Sequence, residues 1–167
     1  MEVRHVCFVR HAKSNWDHPG LKDFDRPLDK RGLHDAPLMA SKMNELGLKP
    51  DLIITSGANR AKSTAEFFKK EFDLPDKKFR IDNDLYEASP EDVFDVIRSA
   101  PDDALFIYVF GHNPTFTWVA NNLSGVHIDN VPTCGVVHAQ ANLSHWKKFK
   151  PEYAAFVGFH YPKQYYR

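Results

Sequence analysis

The sequence lacks long apolar runs and any excess of charge of one sign. No apolar segment approaches the length of a membrane-spanning helix, and the N-terminus, MEVRHV, has no apolar stretch of the kind that a secretory signal carries. Lys plus Arg total 22, as do Asp plus Glu, and basic residues form no run of five or six. We therefore expect a cytoplasmic protein with no nucleic-acid partner and no membrane partner.

Cysteine is scarce as well. Cys7 and Cys134 each fall in a predicted strand without C-x-x-C spacing, so we interpret them as core residues and not as disulfide or zinc ligands. No pair of the nine histidines has H-x-x-x-H spacing, and we expect no metal and no other cofactor. A chain of 167 residues, 43% of them hydrophobic, predicts a single domain over residues 1–167.

Short apolar segments alternate with amphipathic helical patterns, which predicts an α/β fold. Strands are predicted at 3–9, 51–55, 79–81 and 105–110, and the helices between them favour a parallel arrangement. Two further strands, at 134–141 and 154–161, are predicted to form an antiparallel edge pair because their connection is short. The tail, 162–167, is aromatic and basic; its tyrosines are expected to cover the end of the core, with contact to a partner as the alternative.

Three helix starts are predicted from capping residues. Ser89 is expected to cap one of these helices, with Pro90 at its first position and Asp92 completing a capping box. Asp29 is expected to cap the first helix, whose regular part should begin near Asp35 because Pro37 lacks a backbone donor. Asn113 is expected to cap a later helix, with Pro114 at its first position.

Histidines and arginines follow several of the predicted strands. Arg10 and His11 come directly after the first strand, Arg60 lies in the first turn of the helix after the second, and His112 follows the strand at 105–110. Each residue alone is typical of a surface loop or of a structural histidine. Because the carboxyl ends of parallel strands meet at one edge, the four are expected to form a pocket, joined by Glu87 from a loop before a helix start.

These residue types suit phosphoryl transfer. A neutral His11 can attack phosphorus, while guanidinium groups and a protonated His112 bind the oxygens of the phosphoryl group. Glu87 is a candidate proton donor, and its alternative reading is an exposed acid near a helix N-terminus.

At these residues the chain resembles the histidine phosphatase superfamily, and within it the small SixA-type phosphohistidine phosphatases. The resemblance rests on Arg10-His11-Ala12, where the family has Arg-His-Gly, on Arg26-Pro-Leu-Asp-Lys-Arg-Gly32, on Thr55-Ser-Gly-Ala-Asn-Arg60, on Leu85-Tyr-Glu87 and on Gly111-His112. It implies a three-layer α/β/α sandwich around a mostly parallel sheet with an antiparallel edge, like that of phosphoglycerate mutase.

The resemblance also implies roles for particular residues. His11 is the expected phosphorylated nucleophile, with Arg10, Arg60 and His112 as the phosphate pocket. Glu87 is the expected acid. Ser14 and Asn15 stand near the position of an asparagine that many members place after the signature, and they are the candidate substrate contacts.

The leading hypothesis is a metal-independent phosphatase that forms phospho-His11 and acts on phosphohistidine in a protein. One alternative is a phosphatase of a small phosphorylated metabolite, with Lys13 or Lys62 binding additional charge. Another is a module that binds phosphorylated ligands without turnover. Phosphoglycerate mutase activity is disfavoured because the chain has no long insertion to enclose a small substrate.

Overall fold

The computed structural model describes residues 1–123 and 125–167. Its strands and helices alternate along the chain: β1 (Glu2–Arg10), α1 (Lys30–Glu45), β2 (Leu52–Thr55), α2 (Asn59–Glu71), β3 (Phe79–Ile81), α3 (Pro90–Arg98), β4 (Phe106–Gly111), α4 (Thr115–Asn121), β5 (Val136–Leu143) and β6 (Ala154–His160). No helix among these described residues is long and apolar enough to cross a membrane.

The six strands form one mixed sheet in the order β3-β2-β4-β1-β5-β6. β3, β2, β4 and β1 pair in parallel. β5 pairs antiparallel with β1 and with β6, and the short connection between β5 and β6 predicted the second of these pairings. Side chains alternate between the two faces of β1: Val6 and Phe8 pack with α3 and α4, whereas Cys7 and Val9 pack with α1 and α2. The predicted three-layer α/β/α sandwich is therefore confirmed.

Two helix boundaries differ from the sequence prediction. α1 begins at Lys30 and continues through Pro37, with the Asp29 side chain accepting from the Gly32 amide at 2.8 Å. Pro37 leaves the Leu33 carbonyl without its helical donor, but both residues are exposed, so water can replace that bond. α4 begins at Thr115, after Pro114, although Asn113 Oδ1 still accepts from the Thr117 amide at 3.1 Å.

Cys134 also lies outside the strand that was predicted to contain it. Its φ of 60° is left-handed, which ends the extended conformation, and β5 begins at Val136. The Cys134 amide instead donates to the carbonyls of Arg10 and His11, both at 3.0 Å. Cys134 and Cys7 are free and buried, and burial raises the pKa of both thiols. The predicted role of both cysteines as core residues is confirmed.

The topology opens a crevice at the ends of β1 and β4. These strands are neighbours, with Arg10 opposite Gly111, and the helices that follow them pack on opposite faces of the sheet. Ligands of open α/β sheets bind at such a switch point. The chain leaving β1 passes so close to α1 that a Cβ on Gly32 would overlap the Lys13 carbonyl oxygen.

Candidate active site

A small cavity of about 280 Å³ lies at this crevice. All of its lining residues are charged or can form hydrogen bonds: Arg10, His11, Lys13, Ser14, Trp16, Asp23, Arg26, Arg60, His112, Asn113 and Thr133. The structure thus brings together four of the five predicted catalytic residues.

His11 is buried and held in one tautomer. Its Nδ1 lies 2.7 Å from the Ala12 carbonyl oxygen, which can only accept, so Nδ1 carries the proton and Nε2 keeps the lone pair. Burial is the largest cause that lowers the pKa of His11, to about 3; the Ala12 bond opposes this, and the charges of Arg60 and Arg10 lower the pKa further. His11 is therefore neutral at neutral pH.

His112 lies beside His11, with 5.3 Å between the ring centroids. Burial first, and then the positive charge of Arg60, lower the pKa of His112 to about 4. The ligand-free site therefore holds a neutral His112, whereas the expectation of a protonated His112 concerns the site with a phosphoryl group bound and stays a prediction. Its Nε2 lies 2.9 Å from Ser56 Oγ, which accepts from the Ala58 amide at 3.2 Å. We assign the Ser56 hydroxyl as the donor to Nε2, the one acceptor that this hydroxyl has among the described residues, and this assignment places the proton of His112 on Nδ1.

Asp23 holds two of the arginines. Arg60 donates to the Asp23 carbonyl at 2.8 Å and to its carboxylate at 3.0 Å, and Arg26 donates to the same carboxylate at 3.0 Å. Arg26 also donates to Ser14 Oγ at 2.7 Å, and Tyr86 donates to Asp23 at 2.6 Å. Partial burial opposes ionisation, but the bonds from Tyr86, Arg60 and Arg26 together lower the pKa of Asp23 to about 2, so the carboxylate is ionised.

Several buried polar atoms at this cavity have no partner in the protein. Within residues 1–123 and 125–167, five buried side-chain N or O atoms lack a hydrogen bond, and three of them are Arg10 Nε, Arg60 Nε and His112 Nδ1. Such atoms are rare in folded proteins because leaving them unpaired costs about 1–3 kcal/mol each. Their concentration around one cavity indicates a site that an oxygen-rich anion completes.

Not every predicted residue lines the cavity. Ser14 and Lys13 do, but Asn15 and Lys62 are not among the lining residues, and the Asn15 side chain instead accepts from the Asp17 amide at 2.6 Å. Glu87 is exposed, has a left-handed φ of 55° and also lies outside the lining. Its role as an acid stays a prediction.

Sequence reasoning missed Asp23 and Trp16, and gave Arg26 no role beyond its place in a family motif. Trp16 is 71% exposed at the cavity, and the Arg26 guanidinium lies 3.5 Å from its ring centroid. Both Asp23 and Trp16 lie in the long polar segment between β1 and α1, where no periodicity marks individual side chains. The available signal was the length of that segment, since long loops beside a site are often functional.

The fold and the cavity define a class of protein: an α/β protein with an anion site built around a neutral histidine. The family model of the histidine phosphatase superfamily (branch 1) matches residues 6–93, and the chain belongs to this superfamily. Membership supports phosphatase activity, that is, hydrolysis of a phosphoric group from a phosphorylated substrate.

Individual proteins extend the similarity over most of the chain. An uncharacterized protein of Mycobacterium tuberculosis is 31% identical over 165 residues, which cover 93% of this chain and 100% of the relative. The putative phosphohistidine phosphatase SixA from Agrobacterium tumefaciens aligns with a TM-score of 0.81 and 25% identity, over 95% of this chain and 98% of that one. A protein histidine phosphatase SixA complexed with tungstate aligns with a TM-score of 0.78 and 19% identity, over 96% of this chain and 98% of that one, which shows a shared fold.

His11 and His112, the two histidines of the cavity, predict a loss of stability in acid, to which the buried His138, with its pKa lowered by burial to about 4, adds. Unfolded imidazoles bind a proton near pH 6.5, whereas in the folded protein the pKa is about 3 for His11 and about 4 for His112. Between pH 6.5 and the folded-state values the unfolded state binds more protons than the folded state. The contribution of the two histidines to the free energy of unfolding is therefore complete above pH 6.5 and decreases as the pH drops toward 4. Urea unfolding at about pH 7.5 and about pH 5 measures the difference, which His112→Asn should reduce. Equal midpoints at the two pH values would contradict the assignment of neutral histidines.

Proposed function

We propose that the protein is a metal-independent phosphatase that removes phosphoryl groups from phosphohistidine in a protein, through a phosphoryl group carried on His11. The observation that carries the proposal is the 2.7 Å bond from His11 Nδ1 to the Ala12 carbonyl. This bond fixes the lone pair on Nε2, and the lowered pKa keeps that nitrogen free of a proton.

The reaction takes two steps. In the first, His11 Nε2 attacks phosphorus and the bond from phosphorus to the substrate ring breaks. The electron pair of that bond leaves with the ring, which departs as neutral imidazole because its other nitrogen already carries a proton. In the second, water attacks phosphorus, the bond to Nε2 breaks, and inorganic phosphate leaves while one proton of the water passes to solvent. Arg10, Arg60 and the His112 Nδ1–H stabilise the charge on the phosphoryl oxygens in both steps.

The size of the cavity favours a substrate whose bulk stays outside. A volume of about 280 Å³ suits a phosphoryl group and the first atoms beyond it, whereas sites that enclose whole ligands are larger, about 300–1,000 Å³. A phosphorylated side chain on a protein surface meets this requirement. Lys13 in the lining favours the alternative, a small phosphorylated metabolite with a second anionic group.

The protonation states at the cavity favour a leaving group that needs little acid. Asp23, with its pKa near 2, has no proton to give at neutral pH, and Glu87 lies outside the lining. An imidazole departs from phosphorus more easily than an alkoxide does, so phosphohistidine can be hydrolysed without a carboxylic acid next to the bond.

A substrate panel tests the proposal. Release of inorganic phosphate is measured in the presence of chelator from a phosphohistidine peptide, from a phosphoserine peptide of the same sequence and from small phosphorylated metabolites. We expect the highest kcat/KM for the phosphohistidine peptide, because its leaving group is the weakest base and its bulk stays outside the cavity. A metabolite that is hydrolysed with a higher kcat/KM would replace phosphohistidine as the substrate, and loss of activity in chelator would refute a metal-independent reaction.

The variant Glu87→Gln tests the predicted acid separately. We expect a change of less than about threefold in kcat on the phosphohistidine peptide, and a loss of about 10²-fold on an alkyl phosphate, whose leaving oxygen needs a proton. Gln preserves the size of the side chain at this left-handed position. Equal rates of wild type and variant on both substrates would show that Glu87 is not the acid.

A further inference from the structure

A second surface extends from the candidate active site toward the C-terminal tail. A cleft of about 890 Å³ lies between α1 and the tail, and a smaller cavity of about 240 Å³ adjoins it. Arg31 and Tyr166 line both. Four cations line this surface, which we call the basic face: Lys30, Arg31, Lys163 and Arg167.

The basic face is continuous with the candidate active site. Thr133 lines both the catalytic cavity and the smaller cavity of the basic face. Arg31 donates to Thr133 Oγ1 at 3.2 Å, which fixes one cation at the junction. A chain segment that places a phosphoryl group at His11 can therefore continue directly onto the basic face.

The charge of this surface is only partly compensated, by Asp35, which pairs with Arg31. In the part of the chain that the structure describes, the lining of the two cavities contains no Asp or Glu. The nearby Asp35 is 1% exposed and is bound from the surface side, by the Tyr166 hydroxyl at 2.6 Å and by Arg31 at 3.6 Å. The chain as a whole has equal numbers of acidic and basic residues, so this surface has a local excess of positive charge, which favours binding of an anionic partner.

Exposed rings stand among the cations. Tyr166 is 42% exposed, and it packs edge-on against His34 with 5.9 Å between the ring centroids. Tyrosine gives large contact area with little loss of conformational entropy and is enriched where proteins bind other proteins. Rings among cations suit a polypeptide that carries carboxylates and some apolar side chains.

We propose that the basic face docks an acidic segment of the protein substrate, next to the residue that carries the phosphoryl group. This inference rests on the proposed function and adds to it a substrate class: phosphoproteins whose phosphorylated residue is flanked by Asp and Glu. Complementary charge of this kind lowers KM through faster and tighter association, and it leaves the chemical step unchanged.

Charge reversal of the exposed cations tests the docking. The triple variant Lys30→Glu, Lys163→Glu, Arg167→Glu leaves Arg31 and its bond to Thr133 in place. Two phosphohistidine peptides are compared, one flanked by Asp and Glu and one by Ser and Gly. For the wild type we expect a kcat/KM about tenfold higher on the acidic peptide, mainly through KM, and for the variant a ratio near one. Both proteins should hydrolyse an aryl phosphate equally well.

A matched variant removes the effect of net charge. This variant makes the same change in charge at three exposed lysines beyond the end of β5: Lys147→Glu, Lys148→Glu, Lys150→Glu. The end of β5 pairs with the start of β1, so these lysines lie at the opposite end of the strands from His11. The matched variant should keep the preference of the wild type. A preference retained by the basic-face variant, or lost equally in the matched variant, would overturn the proposal.

Binding separates this inference from the proposed function. A labelled acidic peptide without a phosphoryl group is titrated with His11→Asn protein that has either the native or the reversed basic face, and its anisotropy is measured. Weaker binding to the reversed face supports docking, whether or not the wild type hydrolyses phosphohistidine. Failure of the wild type to hydrolyse phosphohistidine would refute only the proposed function. Equal binding to both, or stronger competition by an RNA oligonucleotide than by unlabelled peptide, would refute the docking of an acidic polypeptide.

Discussion

Replacing His11 by asparagine is expected to lower kcat for phosphate release by about 10⁴-fold or more, because removing a nucleophile leaves only binding and electrostatic stabilisation of the uncatalysed route. The asparagine amide can donate to the Ala12 carbonyl in place of Nδ1, a bond of 2.7 Å in the native protein, so the fold should be retained. The initial rate of phosphate release from an aryl phosphate and from a phosphohistidine peptide measures the effect.

The control for this variant is His127→Asn, since His127 is exposed and pairs with Asp129 away from the cavity. It should retain the activity of the wild type. Activity of His11→Asn within tenfold of the wild type would show that a different group attacks phosphorus.

The second large effect is expected from Arg60→Met, which should lower kcat/KM by about 10²–10³-fold, the usual cost of removing one donor that stabilises a transition-state charge. Arg60 is 6% exposed at the first turn of α2, and Asp23 fixes its guanidinium. The loss should appear on aryl phosphate and on phosphohistidine alike, because both place the same phosphoryl oxygens in the cavity. Steady-state kinetics on the two substrates measure it.

Two further variants show whether the Arg60 effect comes from charge and geometry at the cavity. Arg60→Lys keeps the charge but not the forked donors and should recover part of the loss. Lys62→Met removes a cation from the same helix outside the cavity lining and should change kcat/KM by less than about threefold. Equal losses in Arg60→Met and Lys62→Met would mean that general electrostatics is responsible.

The layered fold was predictable because its signals are local. The run LFIYVF at 105–110, most of which forms β4, is apolar throughout, as a strand buried on both faces should be. Ser89 with Asp92 marks the start of α3 by the capping box that the structure shows. The start of α1 was predicted too late because Pro37 was treated as a helix breaker. Whether a proline ends a helix depends on whether water can reach the carbonyl it leaves free, which is a tertiary property.

The candidate site was predictable where its residues follow strands. His11 and His112 are placed by the ends of β1 and β4, and Arg60 by the start of α2, so the order of elements brings them together. Asp23 reaches the cavity through bonds to Arg60 and Tyr86, which are 37 and 63 residues away in the sequence. The neutral state of His112 was not predictable either, because it follows from burial and from the nearby arginines and not from the residue type.

Trapping the phosphoryl group on the protein shows directly whether His11 is the nucleophile. The wild-type protein is mixed with an excess of phosphohistidine peptide, quenched within the first turnovers, digested under conditions that preserve phosphohistidine, and analysed by mass spectrometry. We expect a phosphoryl group on His11 that appears before free phosphate accumulates, and none in His11→Asn protein. Turnover at the normal rate with no phosphoryl group on His11, or with one on His112, would contradict this expectation.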